Sequence, residues 1–155
     1  MDTANMTAHQ KRVREFMELA KQELPPRPTI PNDDVLHLRL MLLWEELLEL
    51  TEEAGFTAVA GGMFGNGGQV VKDVLFEKTG EPDLVGMADG CADLSVVNVG
   101  TLLALGIADD PLLREVDHNN LAKFGPGHAI RHDGKLVKPP GHQPPDIAVV
   151  LAKLS

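Results

Sequence analysis

The sequence has few aromatic residues and no tyrosine: Phe and Trp together amount to 4% of its 155 residues. A hydrophobic core must therefore be built mostly from leucine, valine, alanine and methionine. Leucine, alanine and methionine have high helix propensity, whereas β-sheets favour aromatic and β-branched residues. With 43% hydrophobic and 24% charged residues, the composition is that of a globular chain. It predicts a fold built mainly from helices.

Cysteine is also scarce, since Cys91 is the only one in the sequence. A single cysteine excludes an internal disulfide framework and any zinc site built from several thiolates. The sequence has no run of 18 apolar residues, and residues 1–5 lack the basic flank and apolar core of a signal peptide. We therefore expect a soluble cytoplasmic protein with no membrane partner.

Basic residues are outnumbered by acidic ones. Fourteen Lys and Arg against 23 Asp and Glu give a formal net charge of −9. This balance argues against a protein that grips nucleic acid through its phosphates, so we expect no nucleic-acid partner. An anionic small substrate is compatible with the charge, because bound divalent cations can reverse the local sign.

Hydrophobic periodicity and helix-ending residues predict four substantial helices within a single domain, residues 1–155. The predicted helices span residues 7–24, 34–54, 83–105 and 111–124. Residues 128–155 are predicted as a hairpin around Asp133-Gly134, a proline-rich stretch and a short helix from Asp146. Residues 61–68 are predicted as a glycine-rich loop, and the pattern of residues 69–77 fits either a strand or a short helix.

The predicted helix 34–54 carries five glutamates, which are Glu45, Glu46, Glu49, Glu52 and Glu53. At 100° per residue they fall inside one sector of roughly 120°. A solvated acidic face is the simplest interpretation, but the same sector is apolar over the two preceding turns. No lysine follows four residues after any of these glutamates to neutralise it within the helix. We therefore expect the acidic sector to face a cleft, with Glu53 near the helix end exposed to solvent.

The predicted helix 83–105 carries Asp89 and Asp93, which are neighbours on one face. The rest of that face is small or apolar: Gly86, Gly90, Val97, Gly100 and Ala104. Small residues let another helix approach closely, so we expect both aspartates to be enclosed. Crowded carboxylates repel one another, and a divalent cation with oxygen ligands, Mg²⁺ or Mn²⁺, is the usual remedy.

These residues resemble a motif of the all-α nucleoside triphosphate pyrophosphohydrolases, a superfamily of MazG proteins, dimeric dUTPases and phosphoribosyl-ATP pyrophosphohydrolases. Its pattern is E-E-x-x-E on one helix and E-x-x-D on the next. Glu45-Glu46-Leu47-Leu48-Glu49 matches the first half, and Asp93 matches the final Asp. The sequence departs from the pattern at Gly90, where the family has glutamate, and Asp89 is the candidate substitute. Segments 92–107, 115–123, 133–138 and 144–147 are also similar to the family, in the same order.

The resemblance implies an all-α fold, a four-to-five-helix MazG-like bundle with a small C-terminal β-hairpin. It implies Mg²⁺-dependent hydrolysis, with Mn²⁺ as an alternative, of a nucleoside triphosphate to the monophosphate and pyrophosphate. The substrate expected is a deoxynucleoside triphosphate, dUTP or a non-canonical nucleotide. The implied metal ligands are Glu45, Glu46, Glu49, Asp89 and Asp93, with Glu46 also the candidate general base. The implied substrate contacts are Asn120, Lys123 and Lys138.

Two other functions remain open at the level of sequence. One is a nucleotide or metal-ion binder that has lost turnover through the Gly90 departure. The other is a helical dimerisation protein whose glutamates are merely solvated. In each case we expect a homodimer or a higher homo-oligomer, because the predicted helix 34–54 is apolar around most of its circumference.

Overall fold

A computed structural model describes residues 1–61, 73–124, 127–132, 134 and 136–155. These residues form five α-helices, a short 3-10 helix (Thr3–Asn5) and two antiparallel two-stranded sheets. The helices are α1 (Ala8–Leu19), α2 (Asp33–Glu53), α3 (Leu84–Ala104), α4 (Asp109–Ala122) and α5 (Ile147–Leu154). The strands are β1 (Phe56–Gly61), β2 (Asp73–Lys78), β3 (Ala129–Ile130) and β4 (Leu136–Val137).

The expected fold class, an all-α bundle with a small C-terminal hairpin, is confirmed. Helices α2 and α3 begin and end within one residue of the predicted bounds. The Asn32 side chain caps α2 by accepting a hydrogen bond from the Val35 amide at 3.0 Å. Within the described ranges no single helix is both long and apolar enough to cross a membrane; α3 and α4 reach that length and hydropathy only as a pair bent by 114°.

Two helices have different bounds from those predicted. Helix α1 ends at Leu19 rather than near residue 24, because Lys21 adopts a left-handed φ of 58° and the Gln22 amide donates to the Met17 carbonyl. Helix α4 begins at Asp109, before Pro111, since proline is tolerated in a first turn whose amides lack helical partners. It ends at Ala122, where the Lys123 and Phe124 amides donate to carbonyls three residues earlier and tighten the last turn.

A hairpin of β1 and β2 lies between α2 and α3 in the chain. Phe56 pairs with Lys78 and Gly61 with Asp73, so part of the ambiguous segment 69–77 is a strand. The Lys78 ammonium lies 5.0 Å from the centroid of the Phe56 ring. Gly61 ends β1, and the rest of the predicted glycine loop, residues 62–68, lies outside the described residues.

The chain divides into two compact units, of which the first comprises residues 1–31 and 102–155. Its buried apolar side chains come from the N-terminal segment, the end of α3, the following turn and α5; they are Met6, Val13, Met17, Leu103, Ala104, Ala108 and Val150. Asp109 is also buried, with 1% of its surface exposed. A buried carboxylate is expensive unless hydrogen bonds satisfy its oxygens.

The buried Asp109 carboxylate ties the N-terminal segment to the start of α4. It accepts hydrogen bonds from the Thr7 amide at 2.8 Å and from the Thr7 hydroxyl at 2.6 Å. The Asp109 amide in turn donates to the Gln10 side chain at 2.9 Å, and the Gln10 amide group donates to the Ile107 carbonyl. These four hydrogen bonds satisfy the buried side chains of Asp109 and Gln10 inside an otherwise apolar core.

The predicted C-terminal hairpin and closing helix are both present in the first unit. Strands β3 and β4 pair antiparallel, and the Asp146 side chain caps α5 through the Val149 amide at 3.1 Å. The Asp146 amide donates to the Glu115 carboxylate at 2.9 Å, which connects the tail to α4. Val150 completes the attachment as the buried residue of α5.

The second unit, residues 32–101, contains α2, the β1–β2 hairpin and most of α3. Among its described apolar side chains only Val99 is fully buried. In contrast, Leu40, Trp44 and Leu47 form a stripe along α2 with 67%, 48% and 42% of their surface exposed. That stripe lies on the side of the helix opposite the glutamates. The single domain predicted from the sequence stays a prediction.

We predict that Asp109→Ala lowers the free energy of unfolding by about 2–3 kcal/mol, because it leaves two Thr7 donors without their acceptor. Asp110→Ala is the matched control, since Asp110 pairs only with the exposed Arg114 and should cost less than about 1 kcal/mol. Urea titrations of the two variants and the wild type measure both losses. Equal losses would show that the buried network contributes no more than a surface ion pair.

Candidate functional site

The candidate site is built on a close contact between α2 and α3. A Cβ atom at Gly90 would lie 3.2 Å from the Leu50 Cβ, so the two helices touch where α3 has no side chain. One turn away, the Glu53 side chain lies against Gly86. Since the later residue of α2 meets the earlier residue of α3, the helices run antiparallel. The prediction that small residues of α3 admit a neighbouring helix is correct.

An acidic cavity of about 360 Å³ lies along this contact. Its lining consists of acidic side chains and two glycines: Glu49, Glu52, Glu53, Asp89, Asp93, Gly86 and Gly90. The described part of the chain contains two side-chain ion pairs, Arg14–Glu18 and Arg114–Asp110, and neither involves a carboxylate of the cavity. The cavity is therefore a region of concentrated negative charge.

Glu46 lies one turn before Glu49 on α2 and responds to the same charge. Its pKa is raised above the ordinary 4.5, first by partial burial and then by repulsion from Glu49, Asp93, Glu45 and Asp89. The structure therefore brings all five predicted metal ligands within electrostatic reach of one another. Glu45 and Glu46 are not part of the cavity lining itself.

The exposure of the aspartates differs from the expectation. Asp89 and Asp93 are exposed rather than enclosed. The reason is that Gly90, and not either aspartate, lies on the line of contact with α2. The aspartates flank that line and stay accessible from the cavity.

The cavity also contains residues outside the predicted ligand set. Glu52, Glu53 and Gly86 line it, although Glu53 was expected to be an unengaged residue at the helix end. Glu53 is exposed as expected, but its carboxylate occupies the space beside Gly86. The four-residue spacing from Glu49 to Glu53 was the available signal, since it places the two side chains on one face.

The acidic side chains of the cavity do not converge on one point in this structure. Within the described ranges, no group of three or more His, Cys, Asp or Glu side chains is arranged to hold a metal ion as it stands. Fixing an exposed glutamate in a new rotamer costs at most about 2 kcal/mol of side-chain entropy. The donors are carboxylate oxygens alone, which is the set that Mg²⁺ and Mn²⁺ prefer, so the chemistry of the cavity fits a hard divalent cation.

The three predicted substrate contacts belong to the first unit. The Lys123 ammonium donates to the Asn120 side-chain oxygen at 2.5 Å, and Lys138 is exposed. The hydrogen bond between Lys123 and Asn120 is a local contact at the C-terminal end of α4. Their role toward a substrate stays a prediction.

Comparison with known families matches most of the chain to a family model. The sequence model of the family described as phosphoribosyl-ATP pyrophosphohydrolase matches residues 13–120. The matched range is more than half of the chain and contains α2, α3 and the acidic cavity; Lys123 and Lys138 lie beyond it. The sequence has no significant match among curated proteins.

We predict that Glu46→Gln stabilises the metal-free protein at neutral pH. The folded state binds the Glu46 proton more tightly than the unfolded chain does, so stability falls as pH rises through the raised pKa. Glutamine mimics the protonated form, and the gain in Tm should be present near pH 7.5 and vanish near pH 4. Thermal melts in a chelator, with Glu15→Gln on the exposed face of α1 as control, measure it. A Tm gain that persists at low pH would refute the electrostatic cause.

Proposed function

The chain belongs to the phosphoribosyl-ATP pyrophosphohydrolase family, and we propose that it hydrolyses a nucleoside triphosphate to the monophosphate and pyrophosphate with Mg²⁺ as cofactor. Members of this family release pyrophosphate from a nucleotide-related substrate. The observation that carries the proposal is the acidic cavity between α2 and α3. Five carboxylates line it without a basic partner among the described side chains. Such a cavity repels a polyphosphate unless divalent cations lie between the two.

We assign the cation to Glu45, Glu49, Asp89 and Asp93, together with Glu46 where its proton is lost. A bound Mg²⁺ supplies charge neutralisation and orientation of the phosphate oxygens. The exposed positions of the aspartates suit this role, because the phosphate groups must reach the same cavity from solvent.

We assign the general base to Glu46. The Glu46 side chain lies on the same face of α2 as Glu49, so it would accept the proton next to the cation when it is not itself bound to it. In the proposed step, a water oxygen attacks the α-phosphorus and its proton moves to Glu46. The bond from that phosphorus to the bridging oxygen breaks, and pyrophosphate leaves with the electron pair.

The substrate is proposed at the level of class. A deoxynucleoside triphosphate, including dUTP or a non-canonical base, is one candidate, and phosphoribosyl-ATP is the second because the matching family bears that name. We propose Asn120, Lys123 and Lys138 as contacts to its sugar and phosphates. The cytoplasmic location and the lack of a nucleic-acid or membrane partner stay predictions of the sequence.

We predict that the wild type releases pyrophosphate from at least one member of a panel of canonical and modified dNTPs plus phosphoribosyl-ATP, with Mg²⁺ or Mn²⁺ and not in a chelator. Glu49→Gln should lower kcat/KM by about 10-fold or more, since even outer-shell losses have effects of that size. Glu77→Gln is the matched control on the exposed surface of β2 and should keep full activity.

Two other outcomes correspond to the alternative functions. Binding of Mn²⁺ and nucleotide without pyrophosphate release would identify a binder that lacks turnover, which the Gly90 departure from the family pattern favours. The lack of any divalent-cation binding would leave helical dimerisation as the surviving function. Isothermal titration with Mn²⁺ and a non-hydrolysable triphosphate separates these outcomes.

We also propose that α2 forms an interface with a second copy of the chain. The exposed stripe of Leu40, Trp44 and Leu47 is continuous along the helix, and Val99 is the one buried apolar side chain among the described residues of the second unit. Contiguous exposed apolar surface is typical of association sites. Because the glutamates lie on the opposite side of α2, a partner on this stripe would leave the acidic cavity open.

We predict a homodimer or larger assembly by light scattering at micromolar concentration, and a shift toward the monomer in Leu40→Glu. A charge in the middle of an apolar contact is not solvated there, and its burial is strongly unfavourable. Leu19→Glu on α1 is the control, since Leu19 is also exposed but lies outside the stripe. A monomeric wild type, or equal effects of both variants, would contradict the proposed interface.

A further inference from the structure

The Glu53 side chain lies in a space that exists only because residue 86 is glycine. A Cβ atom built on Gly86 would overlap the Glu53 carboxylate, with the nearest carboxylate oxygen well inside van der Waals distance. Gly86 has ordinary helical backbone geometry, so neither a turn nor a positive φ explains a glycine there. Gly86 is the third residue of α3, and glycine within a helix is unfavourable relative to alanine. The gain that offsets this cost is room for the Glu53 carboxylate.

The neighbouring position on α3 has no such room. A Cβ at Gly90 would lie 3.2 Å from the Leu50 Cβ and 3.3 Å from its Cα, which is part of the α2 backbone. A glutamate at position 90, as in the family pattern, would therefore press on a helix that cannot easily move. At Gly90 the two helices are in direct contact, whereas at Gly86, one turn earlier on α3, there is space for the Glu53 side chain.

Glu53 brings an additional carboxylate to the acidic cavity through this space. It lines the cavity together with Glu49, Asp89 and Asp93. On α2 it follows Glu49 by four residues, so the two carboxylates point to the same side of the helix. Compared with the family pattern, this chain thus lacks a glutamate on α3 and has an additional one on α2, facing the same cavity.

We propose that Glu53, seated against Gly86, supplies the metal-binding carboxylate that the family pattern places at position 90. The inference rests on the proposed function, since it assigns a further ligand to the same cation. It revises the expectation that Asp89 alone replaces the missing glutamate. Gly86 acts as a positioning residue, because it touches no ion and fixes only where the Glu53 carboxylate lies.

The test compares Glu53→Gln, Gly86→Ala and the double variant by Mn²⁺ titration followed by electron paramagnetic resonance, without nucleotide. Glu53→Gln removes one ligand charge. Gly86→Ala keeps every carboxylate but displaces Glu53 from its space. Glu77→Gln and Gly80→Ala are the controls, since Glu77 is exposed on β2 and a Cβ at Gly80 meets no atom within 4 Å.

We expect each single variant to weaken Mn²⁺ binding by about 10-fold or more. The double variant should bind no more weakly than Glu53→Gln, because both changes remove the same contact. Metal-free Gly86→Ala should melt at the wild-type Tm or above it, since alanine favours the helix and the displaced atoms are the flexible end of a side chain. Both controls should bind Mn²⁺ like the wild type.

Three results would overturn the inference. If Glu53→Gln binds Mn²⁺ like the wild type while Glu49→Gln does not, Glu53 is not a ligand and the proposed function stands without it. If Gly86→Ala leaves Mn²⁺ binding unchanged while Glu53→Gln weakens it, Gly86 does not position the Glu53 carboxylate. If the wild type binds no divalent cation, the proposed function fails, and the assignment of Glu53 as a metal ligand fails as well.

Discussion

The contact between Gly90 and Leu50 is the constraint on which the site depends. Where α3 lacks a side chain, its backbone approaches α2 closely enough to bring carboxylates of both helices to one cavity. Packing holds together groups that repel one another, and the pKa of Glu46 is raised first by partial burial and then by that repulsion. In this chain, a bulkier residue at position 90 would press on the α2 backbone at Leu50.

The repulsion among these carboxylates bears on the polyphosphate substrate that we propose. With carboxylates, affinity for phosphate exists only while a divalent cation is bound between the two. In the proposed function, binding of the cation and binding of the nucleotide would be one coupled event. The negative net charge of the chain is compatible with a nucleotide substrate when a divalent cation lies between the carboxylates and the phosphates.

The sequence predicts the two helices of the site well and their surroundings less well. Helices α2 and α3 follow from local signals, namely hydrophobic periodicity and the Asn32 cap. The end of α1 depends on a left-handed Lys21, a conformation that few non-glycine residues adopt. The exposure of Asp89 and the engagement of Glu53 depend on which line of α3 touches α2. Gly86 and Glu53 are far apart in the chain, and no periodicity of either helix reports their contact.

The base of the β1–β2 hairpin fixes the ends of α2 and α3. The Gly55 carbonyl accepts hydrogen bonds from the Thr79 and Gly80 amides at 2.9 and 3.1 Å, and the Glu53 carbonyl accepts one from the Asp83 amide at 2.8 Å. The chain therefore leaves α2 and returns to α3 at nearly the same place. Because these hydrogen bonds join the ends of α2 and α3, the position of the carboxylates depends on the base of the hairpin rather than on the number of residues beyond it. Relatives are therefore better recognised by their two acidic halves than by a fixed number of residues between them.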